Sequence, residues 1–285
     1  MKLSIITVNL NNKDGLQKTI DSIVSQTNKN FEWIVIDGGS TDGSKEFIED
    51  NKNHITYWVS EPDKGIYDAM NKGIAKSSGD YLLFINSGDY LCSNDIVEKI
   101  VNDKNFGKYD IMAGHTLLSC NDKIIKTRKA PHIINVKFLI KDTLCHQSSL
   151  IRSSHLKENG GYNTNYKIIS DFVFLYEDLI IRNASYKPIH FKISVYDLSG
   201  ISTTNRALLN KEKNDFLHKK IPPEIIRDYL KKDMGNTRLE KILYRYKEDS
   251  FFYKWITILA IISFSPQYLS FQFKKFFKRI TTHNV

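Results

Sequence analysis

Cysteine is nearly absent from this chain. Cys92, Cys120 and Cys145 are widely spaced and odd in number, so no disulfide framework and no C-x-x-C metal pair can be drawn. They read as reduced cytosolic thiols. Two glycine signatures are missing as well. Neither G-x-G-x-x-G nor G-x-x-x-x-G-K-[ST] occurs, which argues against NAD or ATP binding of those kinds. No zinc-finger spacing and no RNA-binding aromatic motif is present, so nucleic acid is not an expected partner. There is no internal repeat and no low-complexity segment. The start, "MKLSIITVNL", is too short and too polar afterwards for a signal peptide, and the body is expected to stay in the cytosol. A run of the ~20 apolar residues that cross a bilayer is also lacking.

What is present is a globular composition: 41% hydrophobic, 12% aromatic and 26% charged residues. Those values argue against general disorder. The 285 residues allow one large domain with an extension, or two modest domains. The net charge of +9 is unevenly placed. Residues 206–285 carry 17 Lys and Arg against 8 Asp and Glu, whereas residues 1–205 carry 24 of each. A neutral body with a basic tail suggests a surface-docking element.

Apolar β-branched runs alternate with helical spacing through the first hundred residues. "LSIITVN", "FEWIVIDGG", "ITYWVSE" and "DYLLFINSGD" read as strands. Between them lie helical segments, the first with Leu16, Ile20, Ile23 and Val24 in phase, the third with Ile66, Ala69, Met70, Gly73 and Ile74. Ser40 or Thr41 is expected to cap the second helix and Ser93 or Asn94 the fourth. Such alternation predicts a largely parallel sheet with helices on its faces. Ligands then bind beyond the carboxyl ends of the strands. Polar clusters fall at those ends: Thr7 to Asn9, Asp37 to Asp42, Glu61 to Gly65, and Ser87 to Asp89.

After residue 107 the alternation loosens. "YDIMAGHTLLS" and "KIIKTRK" are expected to pair antiparallel. A strand, a Gly-Gly turn and a helix from near Ser170 follow, then late strands in "SYKPIHFKISVYDLSG". Residues 206 to about 250 read as surface helices, one opened by "PPEIIRDYLKK".

Several residues have chemistry to offer. Asp37 opens "DGGSTDGS". It reads either as an acceptor for a nucleobase or ribose or as part of a strand-to-helix turn. "SEPDKGIYDAMNKGI" sets Pro62, Asp63 and Gly65 in an irregular loop before a helix that carries Asp68 and Asn71. Asp89 ends a buried strand and reads as a metal or phosphate-site ligand or as a turn residue. Many metal sites would have an acid where Ser87 stands.

Taken together, "SIITVNLNN", "VIDGGSTDGS", "SEPDKGIYDAMNKGIAKSSGDYLLFINSGD" and "HQSSLIRSSHLKENGGYNTNYKIISDF" resemble the family 2 glycosyltransferases, nearest to bacterial members that build surface polysaccharides. The resemblance covers about residues 1–205. It implies the GT-A fold: a Rossmann-like mixed α/β sheet with helices on both faces. The nucleotide-sugar-binding half would be residues 1–106 and the acceptor half residues 107–205. It further implies a nucleoside-diphosphate sugar donor, Mg²⁺ or Mn²⁺, and inversion at the anomeric carbon. By position, Thr7, Asn9 and Asp37 would line the nucleoside pocket, with Asp63, Gly65, Asn71, Ser87 and Gly88 around the donor. "SGD" stands in the place of the family's metal-binding D-x-D, so Asp89 would be the metal ligand and Ser87 departs from the pattern. One carboxylate fewer leaves more of the metal shell to diphosphate oxygens and water. The resemblance puts the base at Asp171, where a carboxylate also makes a good helix cap. Glu177 and Asp178, nearly two turns on, are weaker candidates. His146 and Gln147 open the acceptor half and are candidates for acceptor contact.

The tail, "FFYKWITILAIISFSPQYLSFQFKKFFKR", carries only Lys254 as a charge from Phe251 to Phe273. Its most apolar part, Trp255–Phe264, is too short to span. Lys274, Lys275, Lys278 and Arg279 interleave with Phe276 and Phe277, a mix suited to lipid headgroups. The tail therefore reads as a helical, membrane-associating extension over residues 206–285. Packing on the body or in a homodimer is the alternative. The expected function is transfer of a sugar from a UDP-sugar, or another nucleotide sugar, to a lipid-linked or glycan acceptor in capsule, exopolysaccharide or O-antigen synthesis. The expected place is peripheral, on the inner face of the cell membrane. Two rivals remain: a sugar nucleotidyltransferase, and a non-catalytic membrane-bound glycan-binding protein on a transferase fold.

Overall fold

The structure is a computed structural model that describes residues 1–231. Its first half alternates strands and helices: β1 (Leu3–Asn9), α1 (Lys13–Val24), β2 (Phe31–Asp37), α2 (Ser44–Asp50), β3 (Tyr57–Ser60), α3 (Ile66–Lys76) and β4 (Tyr81–Phe84). A short β5 (Tyr90–Leu91) and α4 (Ile96–Val101) follow. The second half contains β6 (Ile111–Cys120), β7 (Lys123–Arg128), α5 (Val136–Lys141), β8 (Ser149–Arg152), α6 (Ser153–Glu158), α7 (Ser170–Tyr176) and β9 (Tyr186–Asp197). Then come α8 (Ile201–Thr204), α9 (Arg206–Lys220) and α10 (Pro223–Lys231).

One nine-stranded sheet runs β3-β2-β1-β4-β8-β6-β9-β5, with β7 on β6. β1 pairs parallel with β2 and β4, and β2 with β3. Beyond β4 the directions mix: β8 is antiparallel to both β4 and β6, and β9 runs parallel to β6. All seven residues of β1 are buried, because helices cover both faces of the sheet, and that explains its unbroken apolar run. Alternation sends Leu3 and Ile5 to one core with Leu16, Ile20 and Trp33. It sends Ile6 and Val8 to the other with Ala69, Met70 and Phe84. Gly73 lets α3 lie against β1, since a Cβ there would stand 2.5 Å from Ile6 Cγ2.

The register sets Asn9 opposite Asp37, and Asp37 opposite Ser60. Three polar side chains therefore stand in one row at the carboxyl ends of the parallel strands. At the opposite ends, Glu32 is 4% exposed and makes a second buried node. It accepts from Ser4 Oγ, from Ser78 N–H, from Ser78 Oγ at 2.6 Å, from Gly79 N–H at 2.9 Å and from Lys2 Nζ at 2.9 Å. Burial alone would raise its pKa, but these donors hold it at about 2. A depressed carboxylate stabilises the fold above its unfolded pKa, and that stability is lost as pH falls toward 2. Glu32→Gln is expected to cost about 3 kcal/mol at neutral pH, read as a urea midpoint, and much less near pH 2.

Some local expectations are corrected. The N-cap position of α2 is Gly43 and that of α4 is Asp95, neither with a side-chain cap bond. Ser40 and Thr41 are engaged with Asp37 and Asn11 instead, and Ser93 donates to Asp95. The late strands are one strand, β9, because it pairs along β6 for most of its length. The first compact unit runs Met1–Lys220, which takes in residues 206–220. The reason is α9: Phe216 packs edge-on against Phe172 and Tyr176, and Glu212 accepts from the backbone N–H groups of Lys167 and Ile168. The second unit begins at Ile221, and its α10 opens on Pro223 as expected. The rest of the expected surface helices and the apolar-basic tail, Phe251 to Arg279, lie outside the described residues. Among the described residues no helix is long and apolar enough to cross a membrane.

Candidate functional site

A cavity of about 590 Å³ opens beyond the carboxyl ends of β1 and β4. Val8, Leu10, Ile66, Tyr67 and Ala69 give it apolar walls. Asn9, Asn12, Asn86 and Ser87 border it at the strand ends, Asp63, Lys64, Gly65 and Asp68 at the α3 entrance, and Thr164 to Lys167 from the second half. Its volume suits a small-molecule ligand.

The α3 entrance is shaped by its own hydrogen bonds. Asp63 Oδ1 accepts from Gly65 N–H at 2.8 Å, and Asp68 Oδ2 accepts from Lys64 N–H at 3.0 Å. Gly65 has φ +118°, a conformation that side chains disfavour. Asp63, Gly65, Asn9 and Ser87 all line this cavity.

Four residues expected around the ligand do not line this cavity. Thr7 is fully buried one strand step inward, where its Oγ1 accepts from Trp33 Nε1 at 3.1 Å. Asp37 is also fully buried. Its carboxylate accepts from Asn9 Nδ2 at 2.7 Å, Ser40 N–H at 2.9 Å, Ser40 Oγ at 2.6 Å and Ser60 Oγ at 2.7 Å. Burial would raise its pKa, but the Ser40 and Ser60 hydrogen bonds lead the donors that lower it. Asp37 is the knot beneath the site, tying three strand ends together. Asn71 pins the Gly-Gly loop, with Nδ2 donating to Tyr162 O and Oδ1 accepting from Tyr162 N–H, each at 2.7 Å. Gly88 is buried at φ +99°, where it turns the chain from Ser87 to Asp89.

Ser87 is held by Asn12, whose Nδ2 donates to its Oγ at 3.1 Å and its carbonyl at 3.2 Å. Asp89 is only 5% exposed. One oxygen accepts from Gln147 Nε2 at 3.1 Å and the other from Asp197 N–H at 2.9 Å. Burial pushes its carboxyl up to about 7. No Lys or Arg pairs with it among the described residues, so it is a buried acid short of counter-charge. That chemistry fits a divalent cation. Among the described residues no three His, Cys, Asp or Glu gather into a cage. The fit is therefore to a cation that arrives with substrate phosphates and keeps water in its shell. Gln147 acts here by supporting Asp89.

Asp171 lies in the first turn of α7. It makes no cavity wall, but both residues that hold it connect to the cavity. Tyr67 Oη donates to Oδ1 at 2.8 Å, and His146 Nδ1 lies 3.0 Å from Oδ2. His146 Nε2 lies 3.3 Å from Asn86 Nδ2. Burial would raise the Asp171 pKa, but the His146 hydrogen bond and charge, helped by Tyr67, hold it below the usual carboxylate range. For His146, burial would lower the pKa, and Asp171 raises it above the ordinary value. Asp171 keeps 15% of its side chain accessible, so an ionised carboxylate remains reachable beside the cavity. Such a group can take a proton from a hydroxyl.

Glu177 and Asp178 do not share that place. The chain leaves the α-helix after Tyr176 and forms a wider turn over Glu177–Ile181. Asp178 is bound to His155 at 2.8 Å, and Glu177 pairs with Lys220 at 3.0 Å. Sequence reasoning missed Asn12, Lys64, Tyr67, Asn86 and Lys167. Tyr67 and Asn86 stood inside quoted motifs, but an aromatic at helix-packing spacing and an amide at a strand end carry little signal alone.

Three comparisons bear on this site. The family described as Glycosyl transferase family 2 matches residues 4–170. An uncharacterized glycosyltransferase of Mycobacterium tuberculosis is 37% identical over 180 residues, covering 61% of this chain and 67% of the relative. A PGL/p-HBAD biosynthesis glycosyltransferase of Mycobacterium bovis is 29% identical over 177 residues, covering 60% of this chain and 67% of the relative. In structure, the chain resembles residues 1–349 of S. aureus TarS in complex with UDP, with a TM-score of 0.57 and 18% identity. That likeness covers 69% of this chain and 60% of the TarS fragment, and it is one of fold. The same fragment has also been solved with UDP-GlcNAc.

Proposed function

The chain belongs to glycosyl transferase family 2 and is a glycosyltransferase, and from that membership we propose an inverting transfer with Asp171 as the base. The donor is a nucleotide sugar, most simply a UDP-sugar. The acceptor is a hydroxyl of a lipid-linked or other glycan in bacterial surface-polysaccharide synthesis. One observation carries the reading: an ionised, doubly held carboxylate at Asp171 stands beside a ligand-sized cavity at the strand ends.

The reaction is a single displacement. The acceptor hydroxyl gives its proton to Asp171, and its oxygen bonds to the anomeric carbon. The bond from that carbon to the diphosphate oxygen breaks, and the electron pair leaves with the diphosphate. The apolar walls and Asn9, Asn12 and Asp63 hold the nucleoside end. Lys64 and Lys167 are cations on the cavity wall, placed to favour the growing negative charge. Mg²⁺ or Mn²⁺, when bound with the donor at Asp89, supplies further charge stabilisation to the leaving diphosphate. The low-sequence-identity fold match to a UDP-binding protein is compatible with this donor class. The work is proposed to take place at the inner face of the membrane, with the basic tail as the attachment.

The test is release of nucleoside diphosphate across a panel of nucleotide sugars, with and without Mn²⁺. Release supports transfer, pyrophosphate exchange would favour a nucleotidyltransferase, and silence with every donor a glycan-binding protein. A second measurement isolates the cation. Asp89→Asn is expected to weaken Mn²⁺ binding in the presence of UDP by about tenfold or more, read by electron paramagnetic resonance. Unchanged Mn²⁺ affinity would remove Asp89 from the metal site.

A further inference from the structure

Asp171 is held on both oxygens, and both holders reach the donor cavity. Tyr67 lines it directly, and His146 reaches it through Asn86. Resting on the transferase reading above, we propose that Tyr67 and His146 are positioning residues for Asp171, and that Tyr67 serves the base in both of its protonation states. The Tyr67 hydroxyl lies 2.8 Å from Asp171 Oδ1 and 2.6 Å from the carbonyl oxygen of Ile168. It has one proton and two acceptors in reach. While Asp171 is a carboxylate, the hydroxyl donates to Oδ1, where the hydrogen bond is charge-assisted.

During transfer the acceptor O–H bond breaks and its proton passes to Asp171. The new acid O–H on Oδ1 then donates to Tyr67 Oη, and the Tyr67 proton turns to the Ile168 carbonyl. Neither state leaves this buried hydroxyl without a partner, so the base changes charge without a repacking step. Tyr67 is 6% exposed, and burial followed by the Asp171 charge holds its own pKa far above ordinary phenol. It is therefore a donor and not a second base.

His146 fixes the other oxygen. Its Nδ1 lies 3.0 Å from Asp171 Oδ2 and its Nε2 3.3 Å from Asn86 Nδ2, so a proton on Nδ1 points at the carboxylate. Around this group, α3 contributes Tyr67 and the loop before α7 contributes Tyr162, while Asp89 adds its charge near His146. Asn86 thus ties a cavity-lining amide to the orientation of the base.

Tyr67→Phe keeps the ring that packs 5.5 Å from Tyr162 and removes only the hydroxyl. It is expected to lower kcat by about tenfold to a hundredfold with the donor KM unchanged. His146→Ala should do the same. His146→Asn, whose Nδ2 stands near the place of Nδ1, should recover much of the loss. Wild-type kcat in Tyr67→Phe and His146→Ala, with Asp171→Asn inactive, would overturn the proposal and leave the transferase reading intact. A parallel loss in kcat, KM and melting temperature, with no recovery in His146→Asn, would also overturn it and assign these residues to packing. A wild-type rate in Asp171→Asn removes the base itself, and the proposal with it.

Discussion

Asp171→Asn is expected to lower sugar transfer by about a thousandfold while donor affinity stays near wild type. The amide has the shape of the carboxylate and keeps an oxygen for Tyr67. It has no negative charge and cannot take the acceptor's proton. Folding should survive, because only an isosteric change is made at a residue that retains 15% exposure. Donor binding should survive because Asp171 forms no part of the cavity wall. Calorimetric titration with UDP and a nucleotide-release assay on the same preparation separate the two effects. A rate near wild type with intact binding would sink the assignment of Asp171 as base. Loss of UDP binding along with transfer would instead place Asp171 on the donor.

Asp37→Ala should be the most damaging change at the strand ends. It removes the acceptor shared by Asn9, Ser40 and Ser60, in a place with no exposure. Each buried donor left without a partner costs about 1–3 kcal/mol. The sum is expected to reach about 3–5 kcal/mol, the range for breaking a buried charged network. Urea unfolding at neutral pH measures the loss. Where the variant still folds, UDP affinity should also fall, since Asn9 borders the cavity and depends on Asp37 for its orientation. Stability within about 1 kcal/mol of wild type would show that Asp37 is not the knot.

Much of this was legible in the sequence because it rests on local chemistry. β1, β2 and β4 were plain as apolar runs, and α3 as a face of Ala69, Met70 and Ile74. Ser87, Asp63 and Gly65 line the cavity, and polar residues at the ends of parallel strands have one crevice to face. Thr7 was misplaced by one step of strand alternation: its side chain points to the α1 face and meets Trp33. Asp37 was placed at the right strand end, but the register with Ser60 that saturates its carboxylate joins residues 23 positions apart. Tyr67 and Asp171 are 104 positions apart, and no pattern along the chain announces their bond. Long-range polar pairs carry little periodic signature, and the site is built mainly of such pairs.

The pairing of β5 with β9 bears on how such enzymes recombine. Leu91 lies opposite Ser194, and the Asp197 N–H at the end of β9 holds Asp89. A gene exchange that joined residues 1–106 to a relative's second half would therefore bring a foreign strand to the Asp89 carboxylate. Such a hybrid keeps the Asp89 contact only where the incoming strand offers the same backbone donor. An exchange that retains β9 keeps that contact, and one that also retains His146 and Gln147 keeps the other partner of Asp89 and the hold on Asp171.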